Sequence, residues 1–417
     1  MRDILPEDAP VYRHVESLLW ETARQHGFSE IRTPVLEATE LYARTVGESS
    51  DIVHKEMYSF KDRSDHPVSL RPEGTAGVAR AFLQHGFLSR PQPVKLAYLS
   101  NMYRYERPQA GRFREHSQFG LEVFGSADPI VDAEIILATW QALTRLGLED
   151  VVVQVNSIGE ERSRKQIRKV ITETLAGKTD KLSEDAQRQL KQNPLRVLDS
   201  KDPQMQPVIE AIPPLIDQLT TEDRDHFTAV LEYLDQAGIP YELNPRLVRG
   251  LDYYTRTVFE FWSEAGGQSA VASGGRYDRL IQELGGPATP GVGIGIGVDR
   301  LAELIKSGKG REVPRSSPQV FVVQLGEVAK KISFELIDQL TKGGVSVTSA
   351  LGKENIRTQL RLADKLGVPL ALIIGQKEAM DESIIIRDMA SGMQETVPLK
   401  TAVAEVEKRV PGEVTRK

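Results

Sequence analysis

Hydrophobic residues follow a helical spacing at the start of the chain. Over residues 11–26 an apolar stripe recurs at about 3.6-residue intervals, which predicts an amphipathic helix. Gly27 comes directly after it, as is typical of a helix C-terminal cap. Residues 28–34 have the composition of a strand, so the chain is predicted to enter a sheet there.

The pattern changes twice more and indicates several structural units. Residues 159–240 are helical, polar and proline-punctuated, which predicts a helical subdomain inserted between two strand-rich parts, 1–158 and 241–305. Residues 306–318 are rich in Gly, Ser and Pro and are predicted to be a linker. From 319 to 417 apolar strands alternate with amphipathic helices, which predicts a compact α/β domain with a largely parallel sheet.

Composition limits the class of protein. A chain of 417 residues exceeds one ordinary core, and its mixture of 40% hydrophobic and 27% charged residues is that of a soluble globular protein. A net charge of −6 gives no global basic field for nucleic acid, so any such contact must be local. The absence of cysteine excludes disulfides, thiolate metal sites and a cysteine nucleophile. No segment has the pattern of a signal peptide or a membrane span, so a cytoplasmic location is expected.

Two alternating segments, 98–107 and 116–125, predict an antiparallel pair of strands with one polar face. Arg104 and Glu106 share a face of the first strand, and Gln118 and Glu122 share a face of the second. Gly120 leaves a gap between them, which predicts a polar floor with room for a ligand. A solvated sheet face with cross-strand ion pairs is the alternative. Against it stands the positive charge of the connecting loop, carried by Arg107, Arg112 and Arg114.

Residues 291–298 alternate glycine with aliphatic residues, so four glycines share one face of a predicted strand. Each interior glycine costs about 0.5–1 kcal/mol relative to alanine, so something flat should lie against this face. A planar base and a closely packed helix both satisfy that need. Arg300 follows at the edge of the glycine face, where its guanidinium could hold a phosphate.

Residues 249–260 place a cation and two phenols at the start of a predicted strand. Gly250 predicts a turn, from which Arg249 could hold a carboxylate or phosphate through paired hydrogen bonds. The hydroxyls of Tyr253 and Tyr254 could contact a polar ligand. A surface ion pair between Arg249 and Asp252 explains the same residues, and the segment alone leaves both interpretations open.

Two further turns lead into predicted helices. Residues 70–75 precede a helix at Ala76, with Thr75 as its cap and Glu73 placed to accept hydrogen bonds from an ammonium group. Residues 273–278 are predicted to form a second turn of this kind. Other catalytic designs lack their residues: Thr172 replaces the upstream glycine of a phosphate loop, and neither H-E-x-x-H nor G-x-S-x-G occurs.

Taken together, these segments resemble the class II aminoacyl-tRNA synthetases and specifically the histidyl-tRNA synthetase family. The resemblance covers nearly the whole chain. It implies an antiparallel-sheet catalytic domain (1–158 and 241–305) with a helical insertion, plus an α/β anticodon-binding domain (319–417). The matching segments are 28–37, 70–75, 103–107, 118–125 and 291–301 for the three class motifs, and 249–260 and 273–280 for the two histidine signatures. Family members usually carry a short leader before the Arg-Asp pair, whereas Arg2 follows Met1 here, so a missing strand and a truncated start both stay open.

The resemblance implies ATP-dependent formation of histidyl-adenylate and transfer of histidine to tRNA(His). Arg249 and Arg104 would be catalytic, with ATP bent and Mg²⁺-bound but without a dedicated protein site for the metal. The implied histidine-binding residues are Glu73, Gly74, Thr75, Arg104, Gln118, Glu122, Arg249, Tyr253, Tyr254 and Tyr277. The implied ATP-binding residues are Arg104, Glu106, Gly295, Gly297 and Arg300. The implied tRNA-binding residues are Arg107, Gln109, Arg112 and Arg114.

A homodimer is implied as well, because the first class motif lies at the subunit interface in the family. A basic stretch in the insertion has two interpretations, a contact to the tRNA acceptor stem and a solvated helix face: Arg162, Arg164, Lys165, Arg168 and Lys169. Two rivals share the core fold: a histidine-binding regulatory paralogue without the anticodon domain, and a domain that only senses uncharged tRNA. The second predicts broken ATP contacts, yet Arg104, Glu106 and Arg300 are in place.

Overall fold

The structure is a computed structural model that divides the chain into two compact units, residues 1–313 and 314–417. It describes all residues except 48, 49, 51, 107–112, 177–181, 201, 202, 264–269, 312, 314–317, 351, 353, 354 and 411–417.

The first unit contains eleven strands and ten α-helices among its described residues. The strands are β1 (Ser29–Glu30), β2 (Leu36–Ala38), β3 (Ser59–Lys61), β4 (Pro67–Leu70), β5 (Val94–Tyr103), β6 (Glu115–Phe124), β7 (Val151–Ser157), β8 (Tyr241–Leu243), β9 (Thr255–Ser263), β10 (Ala272–Arg276) and β11 (Gly291–Gly297). The helices are α1 (Ala9–Gln25), α2 (Thr39–Val46), α3 (Thr75–Gln84), α4 (Pro129–Arg145), α5 (Glu161–Leu175), α6 (Glu184–Gln192), α7 (Gln206–Glu210), α8 (Thr221–Gln236), α9 (Leu280–Glu283) and α10 (Val298–Lys306). Short 3₁₀ turns occur at Phe87–Ser89, Pro194–Asp199, Pro203–Met205 and Leu215–Gln218, and a π turn at Ile52–Glu56.

An eight-stranded sheet organises this unit in the order β1-β5-β6-β11-β10-β9-β7-β8. Its six central strands pair antiparallel, and only the edge pairs β1–β5 and β7–β8 are parallel. Strand alternation divides the side chains between two cores. Phe119 and Leu121 of β6 pack with Val15 and Leu19 of α1 on one side of the sheet. The other side carries the polar residues of the predicted floor, and the predicted antiparallel sheet is confirmed.

Several local predictions are confirmed and two are wrong. The first helix ends at Gln25, and Gly27 has a φ of 77°, as its capping position requires. The strand predicted over 28–34 is only the two-residue β1, because the chain leaves the sheet before Pro34, which has no N–H to donate. The turn predicted at 273–278 is instead strand β10, where Gly274 lies so close to the Gly293 carbonyl that any side chain would collide with it.

The chain between β7 and β8 is mainly helical and contains α5 to α8. Its base packs against the sheet, because Phe227 and Val230 of α8 join the core formed by α4 and β9. No helix in the described part of the chain is long and apolar enough to cross a membrane.

The second unit is a five-stranded sheet with flanking helices. Its elements are β12 (Val320–Gln324), α11 (Glu327–Lys342), β13 (Val347–Ser349), α12 (Ile356–Lys365), β14 (Leu370–Ile374), α13 (Gln376–Met380), β15 (Ser383–Asp388), β16 (Gln394–Pro398) and α14 (Ala402–Arg409). The strand order is β13-β12-β14-β15-β16. The first three strands are parallel as predicted, whereas β15 and β16 add an antiparallel edge, so the sheet is mixed.

Candidate active site

A cleft of about 1120 Å³ opens over the polar face of the eight-stranded sheet. The central strands β6, β11, β10 and β9 form its base, so residues far apart in sequence meet there. The predicted site residues that line it are Glu73, Thr75, Arg104, Glu106, Gln118, Arg249, Tyr253, Tyr254, Gly295, Gly297 and Arg300. Three more, Gly74, Glu122 and Tyr277, are buried behind this lining.

Glu122 lies at the closed end of the cleft and is completely buried. Its carboxylate accepts hydrogen bonds from the hydroxyls of Thr75 at 2.8 Å, Tyr98 at 3.4 Å and Tyr277. Burial raises the pKa of Glu122 to about 8, although the three hydroxyls favour the ionised form. A carboxyl with this pKa gains or loses its proton readily near neutral pH.

The predicted gap above Gly120 is not empty. The ring of Tyr98 fills it, and a side chain at Gly120 or Gly74 would overlap that ring. The Tyr98 hydroxyl accepts a hydrogen bond from Gln118 at 2.9 Å and donates one to Glu122. The prediction of an open space above Gly120 was therefore wrong, because the Tyr98 side chain of the neighbouring strand β5 covers it. Tyr98 was not identified as a site residue from the sequence. Gly74 and Gly120, which leave space for its ring, were the sequence feature that could have indicated it.

Glu73 caps helix α3. Its carboxylate accepts hydrogen bonds from the backbone N–H groups of Thr75 at 2.6 Å and Ala76 at 2.8 Å. The prediction that Thr75 is the cap was wrong: Thr75 is the first helical residue, and its hydroxyl is committed to Glu122. Burial raises the pKa of Glu73, and the two N–H donors oppose that rise. The helix thus holds a carboxylate at the lining of the cleft.

The four glycines of β11 serve two purposes. Gly291 and Gly293 are buried, and a side chain there would overlap Tyr277 or Glu122 respectively. Gly295 and Gly297 line the cleft. A Cβ at Gly297 would meet nothing closer than 3.5 Å, so this end of the bare face is open. A Cβ at Gly295 would overlap the Gln118 side chain, so only the Gly297 end of the face is open to a flat ligand.

Arg249 does not pair with Asp252, which was the alternative that the sequence left open. Its guanidinium binds the carboxylate of Glu260 and donates a hydrogen bond to Ser273 at 2.8 Å. Burial opposes the charge of Arg249, but the attraction of Glu260 outweighs it and raises the pKa of the guanidinium. Glu260 in turn accepts a hydrogen bond from the Trp262 indole at 3.1 Å. The guanidinium therefore stays charged, and its contacts with Glu260 and Ser273 fix its position in the cleft wall.

Two of the remaining predicted cations, Arg104 and Arg300, also line the cleft. Arg104 donates to the Pro72 carbonyl at 2.7 Å and lies 3.7 Å from Glu106. Arg300 donates to the Ala270 carbonyl. Arg114 lies outside the lining, stacked on the Tyr105 ring at 3.9 Å. Arg107, Gln109 and Arg112 lie outside the described residues.

His116 also lines the cleft and was not predicted from the sequence. Burial lowers its pKa to about 4, and the charge of Arg104 adds to that effect. The imidazole is therefore neutral at physiological pH and adds no positive charge beside Arg104. Its position opposite Met102 on the hairpin could have been found from the strand register alone.

Among the described residues, no group of three or more His, Asp and Glu side chains is placed to bind a metal ion. The cleft does present the carboxylates of Glu73 and Glu106. Magnesium usually binds through one or two such oxygens together with substrate phosphates. The donor set therefore fits a Mg²⁺ ion that arrives with a polyphosphate.

Comparison with known proteins agrees with this geometry. The family model for histidyl-tRNA synthetase matches residues 1–301, and the model for an anticodon binding domain matches residues 319–409. A histidine–tRNA ligase of Desulfitobacterium hafniense is 42% identical over 98% of this chain and 96% of its own length. The crystal structure of apo histidyl-tRNA synthetase from S. aureus superposes with a TM-score of 0.81, at 32% identity, over 98% of both chains.

A third likeness concerns the fold alone. A Bacillus halodurans structure, described as an ATP phosphoribosyltransferase regulatory subunit/histidyl-tRNA synthetase, has a TM-score of 0.64 at 23% identity. It covers 90% of this chain and 96% of that one. The near-complete matches in sequence extend through both units, including the C-terminal one. The chain therefore belongs to the histidyl-tRNA synthetase family of class II aminoacyl-tRNA synthetases.

Proposed function

We propose that the cleft of residues 1–313 performs both steps of histidine–tRNA ligation, with the residue roles assigned below. In the first step L-histidine and ATP give histidyl-adenylate and pyrophosphate. In the second step the adenylate and tRNA(His) give histidyl-tRNA and AMP. The observation that carries these roles is the convergence on one cleft of a fixed cation, Arg249, a buried carboxyl, Glu122, and an open glycine face.

Arg249 stabilises the charge that develops as the histidine carboxylate attacks the α-phosphorus of ATP. A bond forms between a carboxylate oxygen and that phosphorus while the bond to the pyrophosphate oxygen breaks. Such a displacement needs positioning and electrostatic stabilisation rather than a general base. Glu260 and Ser273 hold the guanidinium before substrate arrives, so little reorganisation is needed during the reaction.

Glu122 and the two tyrosines recognise the imidazole of the substrate. An imidazole has one N–H donor and one acceptor nitrogen when neutral. The Glu122 carboxylate accepts from the donor, while a tyrosine hydroxyl donates to the acceptor. Burial raises the pKa of Tyr253 and of Tyr254, so both keep the proton that this contact uses. Glu73, Thr75 and Gln118 lie nearby in the lining and bind the α-ammonium group.

ATP occupies the part of the cleft between Arg104, Arg300 and the outer glycines. Its adenine lies against Gly297, where a Cβ would meet nothing closer than 3.5 Å, and next to Gly295, beside which the Gln118 side chain lies; Glu106 contacts the adenine edge. Arg104 binds the α-phosphate and Arg300 the γ-phosphate side. The lining carboxylates Glu73 and Glu106 would supply protein oxygens to a Mg²⁺ ion that arrives with the phosphates, and such an ion would neutralise part of their charge.

The loop between β5 and β6 contacts the acceptor end of tRNA through Arg107, Gln109, Arg112 and Arg114. Cations that bind phosphates release counterions, so affinity should depend on salt. Replacing Arg114 with Gln should lower the slope of log K against log salt by about one. Arg63→Gln, in the exposed turn between β3 and β4, is the matched control and should leave the slope unchanged. An unchanged slope for Arg114→Gln would exclude the contact.

The remaining assignments follow the family. Residues 1–158 and 241–305 form the catalytic domain, 159–240 the helical insertion, 306–318 the linker and 319–417 the anticodon-binding domain. We further propose a homodimer in the cytoplasm. The exposed apolar side chains of Val35, Leu36 and Phe60 near the small β2-β4-β3 sheet offer a surface for the second subunit.

The decisive test is ATP–pyrophosphate exchange that depends on L-histidine. The ligase assignment predicts exchange with L-histidine and only background exchange without it. A protein that binds histidine by calorimetry but shows no exchange would be a histidine-binding regulator instead. Aminoacylation of tRNA(His) by the same preparation tests the second step separately.

A further inference from the structure

The loop that carries the proposed imidazole and phosphate contacts is held by the helical segment between β7 and β8. This Arg249 loop comprises residues 249–254. The carboxylate of Asp252 accepts hydrogen bonds from Arg196 at 2.8 Å and from Asn193 at 2.9 Å. Asn193 directly follows helix α6, and Arg196 lies in the 3₁₀ turn Pro194–Asp199 that comes next. The partner of Asp252 is thus the helical segment and not Arg249.

A second contact reaches the same loop from helix α5. The guanidinium of Arg164 donates to the backbone carbonyls of Tyr254 at 3.2 Å and Asp252 at 3.5 Å. Arg164 belongs to the basic stretch for which the sequence left a solvated face or an RNA contact open. The side chain is half-buried, and its two hydrogen bonds direct the guanidinium toward the loop; this burial lowers the pKa of the guanidinium. The two hydrogen bonds partly offset the cost of burying this cation, and they tie helix α5 to the backbone of the loop.

The strand that follows the loop is anchored by the same segment. Arg256 has a φ of 46°, an unfavourable backbone conformation for any residue with a Cβ. Its guanidinium contacts Asp223 at 3.2 Å and Glu222 at 2.7 Å, both in the first turn of α8. The pairing of β9 with β10 is irregular at this point. The helical segment therefore fixes both Asp252 and the bulge that begins β9.

The loop also packs into the core through Leu251, Tyr253 and Tyr254, but its backbone at Gly250 and Asp252 has few other contacts. A Cβ at Gly250 would find no atom within 4 Å, so the backbone there is open. The Asp252 N–H donates only a long hydrogen bond, 3.3 Å, to the Val46 carbonyl. The rings of Tyr253 and Tyr254 directly follow Asp252, and any displacement of its backbone moves them. Misplacement of about 1 Å can cost about 10²-fold in rate.

We propose that Arg196, Asn193 and Arg164 are positioning residues for histidine activation. By binding Asp252 and the adjacent carbonyls, they make the placement of Tyr253, Tyr254 and Arg249 depend on the helical segment. None of the three needs to touch histidine or ATP. The inference rests on the proposed function, because it concerns the geometry of that same site.

The test compares Asp252→Asn, Arg196→Gln and the double variant in histidine-dependent pyrophosphate exchange. Each single variant should lower kcat by about tenfold to a hundredfold while the KM for ATP changes less than about twofold. Because both changes break one pair, the double variant should be no slower than the slower single variant. Arg196→Lys keeps the charge and should recover part of the rate. Lys191→Gln removes an exposed cation from α6 and is the matched control, with the rate of the unmodified protein.

Unfolding monitored by tryptophan fluorescence separates positioning from loss of fold. Single variants that are destabilised yet keep full kcat would overturn the inference, and so would additive losses in the double variant. An unmodified protein without histidine-dependent exchange would refute the proposed function itself. Normal exchange by that protein together with unaffected variants would refute only the positioning role.

Discussion

Replacement of Glu122 with glutamine should stabilise the ligand-free protein at neutral and higher pH. The pKa of the folded-state carboxyl is about 8, against an ordinary value of 4.5. Below pH 4.5 both folded and unfolded states hold the proton, and the group has no effect on stability. As pH rises from 4.5 to 8 the unfolded state releases the proton and the folded state keeps it, so stability falls. Above pH 8 the loss is complete and constant.

The size of the effect follows from the difference of 8 − 4.5 = 3.5 pH units. At about 1.36 kcal/mol per unit this amounts to roughly 5 kcal/mol above pH 8 and about 3 kcal/mol at pH 7. Glu122 is completely buried, so solvent screening does not reduce these figures. Glutamine has nearly the same shape and can still accept the hydroxyl hydrogen bonds, but it has no proton to lose. The variant should therefore lack the pH-dependent cost.

Urea unfolding followed by tryptophan fluorescence measures this stability difference in the structural unit that contains Glu122. All three tryptophans, Trp20, Trp140 and Trp262, lie in residues 1–313. The stability advantage of Glu122→Gln should grow by about 3 kcal/mol between about pH 5.5 and pH 8.5. Glu115→Gln, which removes a half-buried carboxyl from the same strand, is the control for the loss of a carboxylate. Parallel stability curves for Glu122→Gln and the unmodified protein would refute the reasoning.

Three other outcomes are expected. Arg249→Ala should slow pyrophosphate exchange by about 10²-fold or more while the calorimetric Kd for histidine changes only a few-fold; equal losses would contradict a transition-state role. Gly297→Ala should raise the KM for ATP without lowering the urea midpoint. Gly293→Ala should lower the urea midpoint, because its Cβ overlaps a buried carboxylate. If Gly297→Ala lowered the midpoint and Gly293→Ala raised the KM instead, the assignment of one glycine to the ligand and the other to packing would be wrong. Arg276→Gln should cost about 3–5 kcal/mol in unfolding free energy, since it leaves Asp132 buried without its cation. A double Arg276→Met and Asp132→Leu variant should recover part of that loss, and a single variant as stable as the double would argue against the pair.

Periodicity predicted much of the fold because it depends on which face of an element is buried. Helix α1 and strand β6 present alternate faces to different surroundings, so their apolar positions are visible in the sequence. Strand β10 was missed because it contains Gly274 and Gly275, whose lack of side chains removes the alternation. Those glycines are required by close approach of the neighbouring strands, which is a tertiary fact. The antiparallel edge of the second unit is a similar case, since its strand β16 is mostly exposed.

The candidate site was predictable as a set of residues but not as an arrangement. Local motifs bring out Arg249, Glu122 and the glycines of β11, because each has an unusual residue type in a strand or turn. The partners of these residues could not be chosen from the segment alone. Arg249 pairs with Glu260 at the far end of the same segment, and Asp252 pairs with Arg196 in the helical segment between β7 and β8. The sequence suggested an ion pair between Arg249 and Asp252, and the folded chain gives each of them a different partner.

In the role proposed for Glu122, its enclosure connects the stability of the protein to its selectivity. Gly293 and Gly120 leave space for Glu122 and Tyr98, and the resulting burial raises the pKa of the carboxyl. An open polar floor, as first expected, would have left Glu122 ionised and solvated at no cost. It would also have discriminated poorly, because water could satisfy the carboxylate when a substrate analogue lacks the imidazole N–H. A site built from buried polar groups rejects such an analogue strongly, since its groups are then left unpaired. The destabilising burial of Glu122 is therefore the physical basis expected for selection of histidine.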